Sequence, residues 1–117
     1  MDRDRVYLRD ILGAATAAQE YLLGLDRETF LSLREKQDAV IRSLEVVGEA
    51  VRRLSDRTKA AMPEIPWEKF RGMRNILIHQ YDNVDLDLVY DTVNQDLPSL
   101  AQAVHAYLDR LEKEAAP

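Results

Sequence analysis

Hydrophobic residues recur at steps of three and four along most of this chain, which is the spacing of one face of an α-helix. Residues 4–23 follow this pattern and are predicted to form a first helix, with apolar positions at Leu8, Ile11, Leu12, Ala15, Ala18 and Leu22. Gly24 stands where a glycine commonly closes a helix. Asp26 has a side chain of the kind that caps the start of the next one.

The longest and most regular stretch predicts one continuous second helix. Its apolar positions are Phe30, Leu33, Val40, Leu44, Val47, Val51 and Leu54. Only Gln37 interrupts this series with a polar side chain. A seam this narrow and this long indicates near-antiparallel packing in a bundle, or pairing with a second helix across a dimer.

Two further features lie beside this seam. Arg42, Glu45 and Glu49 form a charged row along one side of the helix, which we interpret as solvated salt links that contribute little stability. Gly48 lies in the middle of the helix, where glycine is about 1 kcal/mol less favourable than alanine. We therefore expect another helix to approach closely at Gly48.

Residues 55–66 include two prolines and are predicted to form a connector with one short helical turn, started by Ser55 or Asp56. A third helix follows. Pro66 suits its first position, since the missing N–H would have no partner there, and this makes Ile65 its N-cap.

A fourth helix begins after Asp85, which is suited to cap it. Its apolar positions are Leu86, Val89, Val93, Leu97, Leu100, Val104, Tyr107 and Leu111. Pro98 lies inside this run and should kink or split the helix near Asp96 or Leu97. Residues 1–117 are therefore predicted to form a single all-α domain of four main antiparallel helices plus a short connector helix.

The composition of the chain excludes several classes of function. The chain has 117 residues, a net charge of −5 and no cysteine, which excludes disulfides and thiolate chemistry and fits a reducing cytoplasm. The N-terminus lacks the apolar core of a signal peptide, and no apolar run reaches the roughly 18 residues of a membrane helix. We predict a cytoplasmic protein with no membrane partner. Because domains that bind nucleic acid over their whole surface are normally basic, nucleic acid would be bound only in a local cleft.

Metal and nucleophile motifs are missing. Di-iron bundles use Glu-x-x-His pairs, but Ile76 and Gln102 stand three residues before His79 and His105. No serine lies in a Gly-x-Ser-x-Gly turn. We expect neither a metal site nor a cofactor.

The third helix carries the candidate chemistry. A helix turns about 100° per residue, so Arg74 falls in the middle of an otherwise apolar stripe that contains Trp67, Phe70, Leu77 and Tyr81. An arginine there is costly unless it is paired or opens onto a cleft.

A polar row of Arg71, Asn75 and His79 lies alongside this stripe. Asn75 is placed to hydrogen-bond His79 one turn later and to orient its ring. Arg74 and His79 are about 140° apart around an ideal helix. They could meet on one anion only at the helix end or across a dimer.

Cleavage of RNA fits these groups. The substrate carries its own nucleophile, the 2′-hydroxyl, an imidazole can accept its proton near neutral pH, and a guanidinium can bind the phosphate. From the residues alone, an equally good interpretation is a structural histidine at a helix end beside a surface-paired arginine.

The run RNILIHQY, residues 74–81, resembles the R-x-x-x-x-H-x-Y motif of the HepT-like toxins in the HEPN superfamily. The resemblance covers essentially the whole chain through AVIRSLEVVGEAVRRLS (39–55), PEIPWEKFRGMRN (63–75), LIHQYDNVD (77–85) and DLPSL (96–100). The GEA and IPW segments make this match specific.

The resemblance implies a HEPN-like bundle that forms a homodimer, with the motif helices of both subunits meeting at a shared cleft. It implies a metal-independent endoribonuclease toxin paired with a nucleotidyltransferase antitoxin of the MntA type. Carried over by position, Arg74, His79 and Asn75 are the catalytic residues, and Tyr81 matches a tyrosine that such antitoxins modify with AMP.

Local bases would have to offset the acidic net charge. Arg52, Arg53 and Arg71 are candidate RNA contacts, or else part of a solvated face. The alternatives to a ribonuclease are a non-catalytic HEPN module that binds nucleotide or RNA beside a nucleotidyltransferase, and a simple dimerisation bundle.

Overall fold

The computed structural model describes residues 3–115, apart from the side chain of Tyr81. Within this range the chain forms seven α-helices: α1 (Arg3–Tyr21), α2 (Arg27–Ser32), α3 (Arg34–Arg53), α4 (Asp56–Ala61), α5 (Trp67–His79), α6 (Leu86–Asp91) and α7 (Leu97–Ala115). A 3-10 turn occupies Tyr81–Asn83, and a π-helical turn occupies Thr92–Asp96. The predicted all-α bundle is confirmed, with α4 as the connector helix. Of the helices in residues 3–115, none is long and apolar enough to cross a membrane.

Helix α3 lies at the centre of the bundle, with α1 and α5 packed against it and α7 packed against α1. Contacts between helix ends give the directions. The Asp4 carboxylate, near the start of α1, accepts a hydrogen bond from the Ser55 N–H just beyond the end of α3. Arg9 pairs with Glu112, near the end of α7, at 3.9 Å. Helix α1 is therefore antiparallel to both α3 and α7.

The core is built from the apolar positions that the sequence pattern indicates. The largest fully buried apolar side chains are Phe30, Leu8, Ile11, Leu97, Leu100, Val40, Val47, Val51, Val89, Val93 and Val104. Each contributes about 1.5–3 kcal/mol by leaving water. They come from α1, α2, α3, α6, the π-helical turn and α7, so these elements share one core.

The second helix is not continuous, and the prediction that it runs unbroken from Phe30 is wrong. Leu33 adopts an extended conformation, with φ −113° and ψ 92°, and separates α2 from α3. The break removes the bond that the Phe30 carbonyl would accept from Arg34 in a continuous helix. That carbonyl accepts from the Leu33 N–H at 3.2 Å and from the Gln37 side chain at 3.0 Å. The one polar residue in the seam is thus buried with its amide hydrogen-bonded at the break.

Most of the predicted helix ends are confirmed. Asp26 accepts a bond from the Thr29 N–H at 2.8 Å, and Asp85 accepts one from the Leu88 N–H at 3.1 Å. Gly24 has a φ of 78°, a conformation that other residues rarely adopt.

Two boundaries differ from the prediction. Helix α1 ends at Tyr21, because the chain tightens into a turn before Gly24. Pro66, not Ile65, is the N-cap of α5, and its carbonyl accepts a hydrogen bond from Lys69 at 3.0 Å.

The predicted break near Leu97 is confirmed and takes the form of a wider turn. The Leu97 N–H reaches back five residues to the Thr92 carbonyl. The Thr92 hydroxyl donates to the Leu88 carbonyl at 2.8 Å, and the Asn94 amide donates to the Tyr90 carbonyl at 3.1 Å. The wide turn accommodates Pro98, which has no N–H to donate and whose ring would crowd a regular helix.

Candidate active site

Helix α5 is held in place by its apolar stripe. Trp67, Phe70 and Leu77 are buried, as predicted. The Trp67 indole N–H donates to the carbonyls of Lys59 and Met62, at 3.1 and 3.2 Å, which ties the start of α5 to the connector. Because the start of α5 is held in this way, the orientation of the residues that follow on the same helix is also fixed.

Arg74 lies where α5 crosses α3, directly over Gly48. A Cβ atom at Gly48 would lie 2.9 Å from the Phe70 carbonyl oxygen and closer still to the Cβ of Arg74. Because Gly48 has no side chain, the two helices can approach to this distance. The close approach predicted at Gly48 is confirmed, and the residue on the other side is Arg74.

The guanidinium of Arg74 is paired on one edge. Its Nε lies 3.2 Å from Oε1 of Glu49, and the Arg74 side chain keeps only 26% of its surface exposed. This Nε is buried and forms an ion pair without an aligned hydrogen bond. Its Nη1 donates to the side-chain oxygen of Asn75 at 3.2 Å. Arg74 is therefore both paired and oriented by residues of the same chain.

Glu49 binds two more arginines. Its Oε1 accepts from Arg52 Nε at 3.0 Å, while its Oε2 accepts from Arg52 Nη2 at 2.9 Å and Arg53 Nε at 2.7 Å. These hydrogen bonds, with the nearby positive charges, lower the pKa of Glu49 to about 2. The carboxylate is therefore ionised at any physiological pH.

The interpretation of Arg42, Glu45 and Glu49 as a row of mutual salt links is wrong. Among the residues that the structure describes, no ion pair joins Arg42 to either glutamate, and Glu49 pairs with Arg52, Arg53 and Arg74. The cation from α5 that pairs with Glu49 is Arg74. The other two, Arg52 and Arg53, lie on the next turn of α3.

The side chain of Arg74 opens onto a cavity of about 280 Å³ between α1, α3 and α5. Its charged lining residues balance in sign, with Asp10, Glu45 and Glu49 against Arg42, Arg53 and Arg74. Glu49 and the three arginines bound to it carry a formal charge of +2, and all of them except Arg52 line the cavity. We call Glu49, Arg52, Arg53 and Arg74 the arginine cluster.

His79 lies apart from this cluster. It is the last residue of α5, is exposed, and does not line the Arg74 cavity. The hydrogen bond predicted between Asn75 and His79 does not form; Asn75 accepts from Arg74 instead. Arg71 is exposed and pairs with Glu68 at 3.1 Å. The fold thus brings Arg74 together with Arg52, Arg53 and Asn75, but not with His79.

Tyr81 begins the 3-10 turn two residues beyond His79. Its side chain lies outside the described part of the structure. For residues 3–115, no group of three or more acidic or histidine side chains is arranged to hold a metal ion.

The chain matches a family described as "Ribonuclease HepT-like" over residues 11–107. It belongs to the HepT-like ribonuclease family. The match spans α5 and the part of α3 that carries Gly48 and Glu49, so the site described above lies within the family's shared region.

Relatives agree with this assignment. A protein of Thermococcus cleftensis named "Probable ribonuclease HepT" is 42% identical over 80% of this chain and 86% of its own length. The "Putative RNase MJ1380" of Methanocaldococcus jannaschii is 35% identical over 86% of this chain and 92% of its own length. A larger protein of the same organism, named "Gamma-glutamylcyclotransferase and putative RNase MJ0434", is 35% identical, and the chain spans 49% of its length. No solved structure matches the chain significantly.

Sequence reasoning missed the role of Glu49. It was assigned to a solvated row, although it stands beside Gly48, the residue for which a close helix approach was predicted. That adjacency was the available signal, because a charged residue next to a tight helix crossing must contact the helix that crosses there.

Proposed function

We propose that this chain is the endoribonuclease toxin of a toxin–antitoxin pair and that it cleaves RNA without a metal ion. The observation that carries the proposal is the placement of Arg74, which is fixed at a helix crossing with its guanidinium opening onto a cavity. Membership in the HepT-like ribonuclease family supports the choice of RNA as substrate.

In the proposed reaction the 2′-hydroxyl attacks the adjacent phosphorus. A bond forms between the 2′-oxygen and phosphorus, and the bond from phosphorus to the 5′-oxygen of the next nucleotide breaks. His79 takes the proton of the 2′-hydroxyl. Arg74, oriented by Asn75, binds the non-bridging oxygens and stabilises their growing charge. The products are a 2′,3′-cyclic phosphate and a 5′-hydroxyl, whose proton comes from the protonated histidine or from water.

The separation of His79 from the cavity supports a homodimer. His79 does not line the cavity that Arg74 lines, so a second copy of α5 is proposed to complete the site. Ile76 and Ile78 precede His79 on α5 and are 42% and 38% exposed, which gives this end of α5 apolar surface for such a contact.

We further propose that a nucleotidyltransferase antitoxin of the MntA type silences this toxin in the cytoplasm. The Tyr81 hydroxyl would attack the α-phosphorus of ATP and release pyrophosphate, leaving AMP on the tyrosine. The added bulk and negative charge, two residues beyond His79, would block the cleft and compete with RNA phosphate. If the antitoxin still silences the Tyr81→Phe variant fully while no AMP is transferred, this mechanism is wrong.

The test of the activity is cleavage of RNA by the purified protein in the presence of EDTA. Arg74→Ala should lower kcat/KM by about 10²–10³-fold, and His79→Ala by about 10²–10⁴-fold. Both should also lose toxicity on expression. Arg110→Ala and His105→Ala are matched controls, because both residues are exposed on α7 and should leave cleavage unchanged. Cleavage that survives both α5 substitutions would disprove the site, and cleavage abolished by EDTA would disprove the metal-free mechanism.

The second candidate is a non-catalytic module that binds RNA or nucleotide beside a nucleotidyltransferase. The observation that favours it is that Arg52, Arg53 and Arg74 are already neutralised in part by Glu49. RNA binding that depends on Arg74, without any cleavage by the wild-type protein, would identify this function.

A further inference from the structure

We propose that Glu49 is the positioning residue for Arg74 and that it gathers Arg52 and Arg53 with it into one binding site for RNA phosphate. This inference rests on the proposed ribonuclease function. It adds to that function a residue that touches neither the substrate nor the reacting atoms.

The first step concerns the direction of the Arg74 side chain. Its Cβ lies over Gly48, so the stem leaves the helix along a path set by the α3 backbone. Glu49, the next residue of α3, then meets the buried Nε at 3.2 Å. Adjacent positions of one helix thus fix both the base and the head of the arginine.

The second step concerns the donors that remain. A guanidinium has five N–H donors in a planar fork. Glu49 faces the Nε and Asn75 accepts from the Nη1. Within the described residues, the Nη2 group of Arg74 has no protein partner. With Nε facing Glu49 and Nη1 bonded to Asn75, the Nη2 group is the part of the fork that is available for a phosphate oxygen.

The third step concerns Arg52 and Arg53. Both bond to the same carboxylate, Arg52 through two nitrogens and Arg53 through one. Three guanidinium groups that would repel one another are therefore held around one carboxylate. The cluster has a formal charge of +2; Arg53 and Arg74 line the cavity, whereas Arg52 lies outside its lining. An anion such as a phosphodiester is the ligand that fits this surplus of donors and charge.

Two effects of removing the charge of Glu49 have opposite signs, and this makes the proposal testable. Electrostatic attraction alone predicts that loss of a negative charge beside three arginines strengthens RNA binding and does not slow cleavage. A positioning role predicts that Arg74 loses its orientation, and a misplacement of about 1 Å can cost about 10²-fold in rate. Loss of positioning should therefore lower kcat, whereas loss of the negative charge should leave KM unchanged or lower it.

The experiment measures kcat and KM for RNA cleavage by Glu49→Gln. We expect kcat to fall about 10- to 100-fold while KM stays the same or decreases. Glu45→Gln is the charge-matched control, because Glu45 lines the same cavity without an ion pair to Arg74 among the described residues. The difference in kcat between the two variants isolates the contact with Arg74 from the change of charge.

A double-mutant cycle separates positioning from a general structural effect. If Glu49 acts through Arg74, Glu49→Gln should change kcat less than about twofold in the Arg74→Lys background, where the planar fork is already lost. Glu49→Asp keeps the charge but is one methylene shorter, and its kcat should fall between those of wild type and Glu49→Gln. It provides the same test if the glutamine variant does not fold.

Several results would overturn the role of Glu49. These are an unchanged or raised kcat in Glu49→Gln, an equal loss in Glu45→Gln, or a loss that multiplies with that of Arg74→Lys. Failure of the proposed function is distinguishable from these results, because it would appear as cleavage retained by Arg74→Ala. Loss of cleavage in Arg74→Ala with normal kcat in Glu49→Gln would remove only the inference about Glu49.

Discussion

Replacing Gly48 by alanine should destabilise the protein, although alanine is normally the better residue in a helix. The new methyl group would lie 2.9 Å from the Phe70 carbonyl oxygen and closer to the Cβ of Arg74. The carbonyl and the Cβ are both fixed to the α5 backbone and cannot rotate away. Relief of the contact therefore requires α5 to move relative to α3.

The magnitude follows from two opposing terms. Replacing a mid-helix glycine by alanine gains about 1 kcal/mol of helix propensity. Overpacking a close contact costs about 1–3 kcal/mol, and we expect the upper end because neither neighbour can yield. The net loss is about 2 kcal/mol, or a decrease in Tm of roughly 8 °C for a chain of this size.

The assay is thermal and urea unfolding of Gly48→Ala beside Gly13→Ala. Gly13 also lies within a helix, but a Cβ there would meet nothing within 4 Å. The same chemical change should therefore raise stability by about 0.5–1 kcal/mol at Gly13. Gly48→Ala should also slow RNA cleavage, because it displaces Arg74. A gain in stability at Gly48 equal to that at Gly13 would refute the close contact.

Three further predictions concern other contacts. Gln37→Leu removes one of the two donors to the Phe30 carbonyl, which keeps its bond from the Leu33 N–H, and should cost about 1 kcal/mol in urea unfolding. Gln102→Leu on the exposed face of α7 should change stability by less than about 0.5 kcal/mol, and equal effects would contradict the role of Gln37. The pKa of Glu49 lies at about 2, below its ordinary 4.5, so its ionised form contributes stability that is complete above pH 4.5 and is lost as the pH falls toward 2. Between about pH 5 and pH 2 wild type should therefore lose more stability than Glu49→Gln, and parallel curves would argue against the low pKa. Arg71→Ala should reduce the slope of log affinity for RNA against log salt by about 0.7, and an unchanged slope would exclude Arg71 as a phosphate contact.

The caps at Asp26 and Asp85 and the break near Pro98 could be predicted because each depends on chemistry within a few residues. Asp26 and Asp85 each need only an N–H group three residues later, and both have one. Pro98 lacks an N–H in any context, so a regular helix could not continue unchanged through it.

The break at Leu33 could not be predicted in the same way. The spacing of apolar residues continues through Leu33 without a change, and no glycine or proline marks the position. The only local sign was the polar Gln37 in an apolar seam. Its partner, the Phe30 carbonyl, is identified only by the conformation of the break itself.

In the candidate site too, one feature could be predicted from the sequence and another could not. The position of Arg74 on an apolar stripe was sufficient to predict that it must be paired or open onto a cleft, and it is both. Its partner Glu49 lies 25 residues earlier in the sequence, on another helix. Which side chain meets Arg74 depends on how α3 and α5 cross, and Gly48 fixes that crossing through a contact that periodicity does not encode.

The wide turn at Thr92–Asp96 also limits how the chain length can vary. This turn adds backbone between α6 and α7. Helix α6 is linked to α2 through Arg27 and Asp91, and α7 packs on α1. Deleting one residue here would rotate the following helix by about 100°, turning Leu100 and Val104 out of the core. It would also place the Pro98 ring against the carbonyl of a regular helix. Length variation should therefore be far better tolerated in the turn after Tyr21 than at this point.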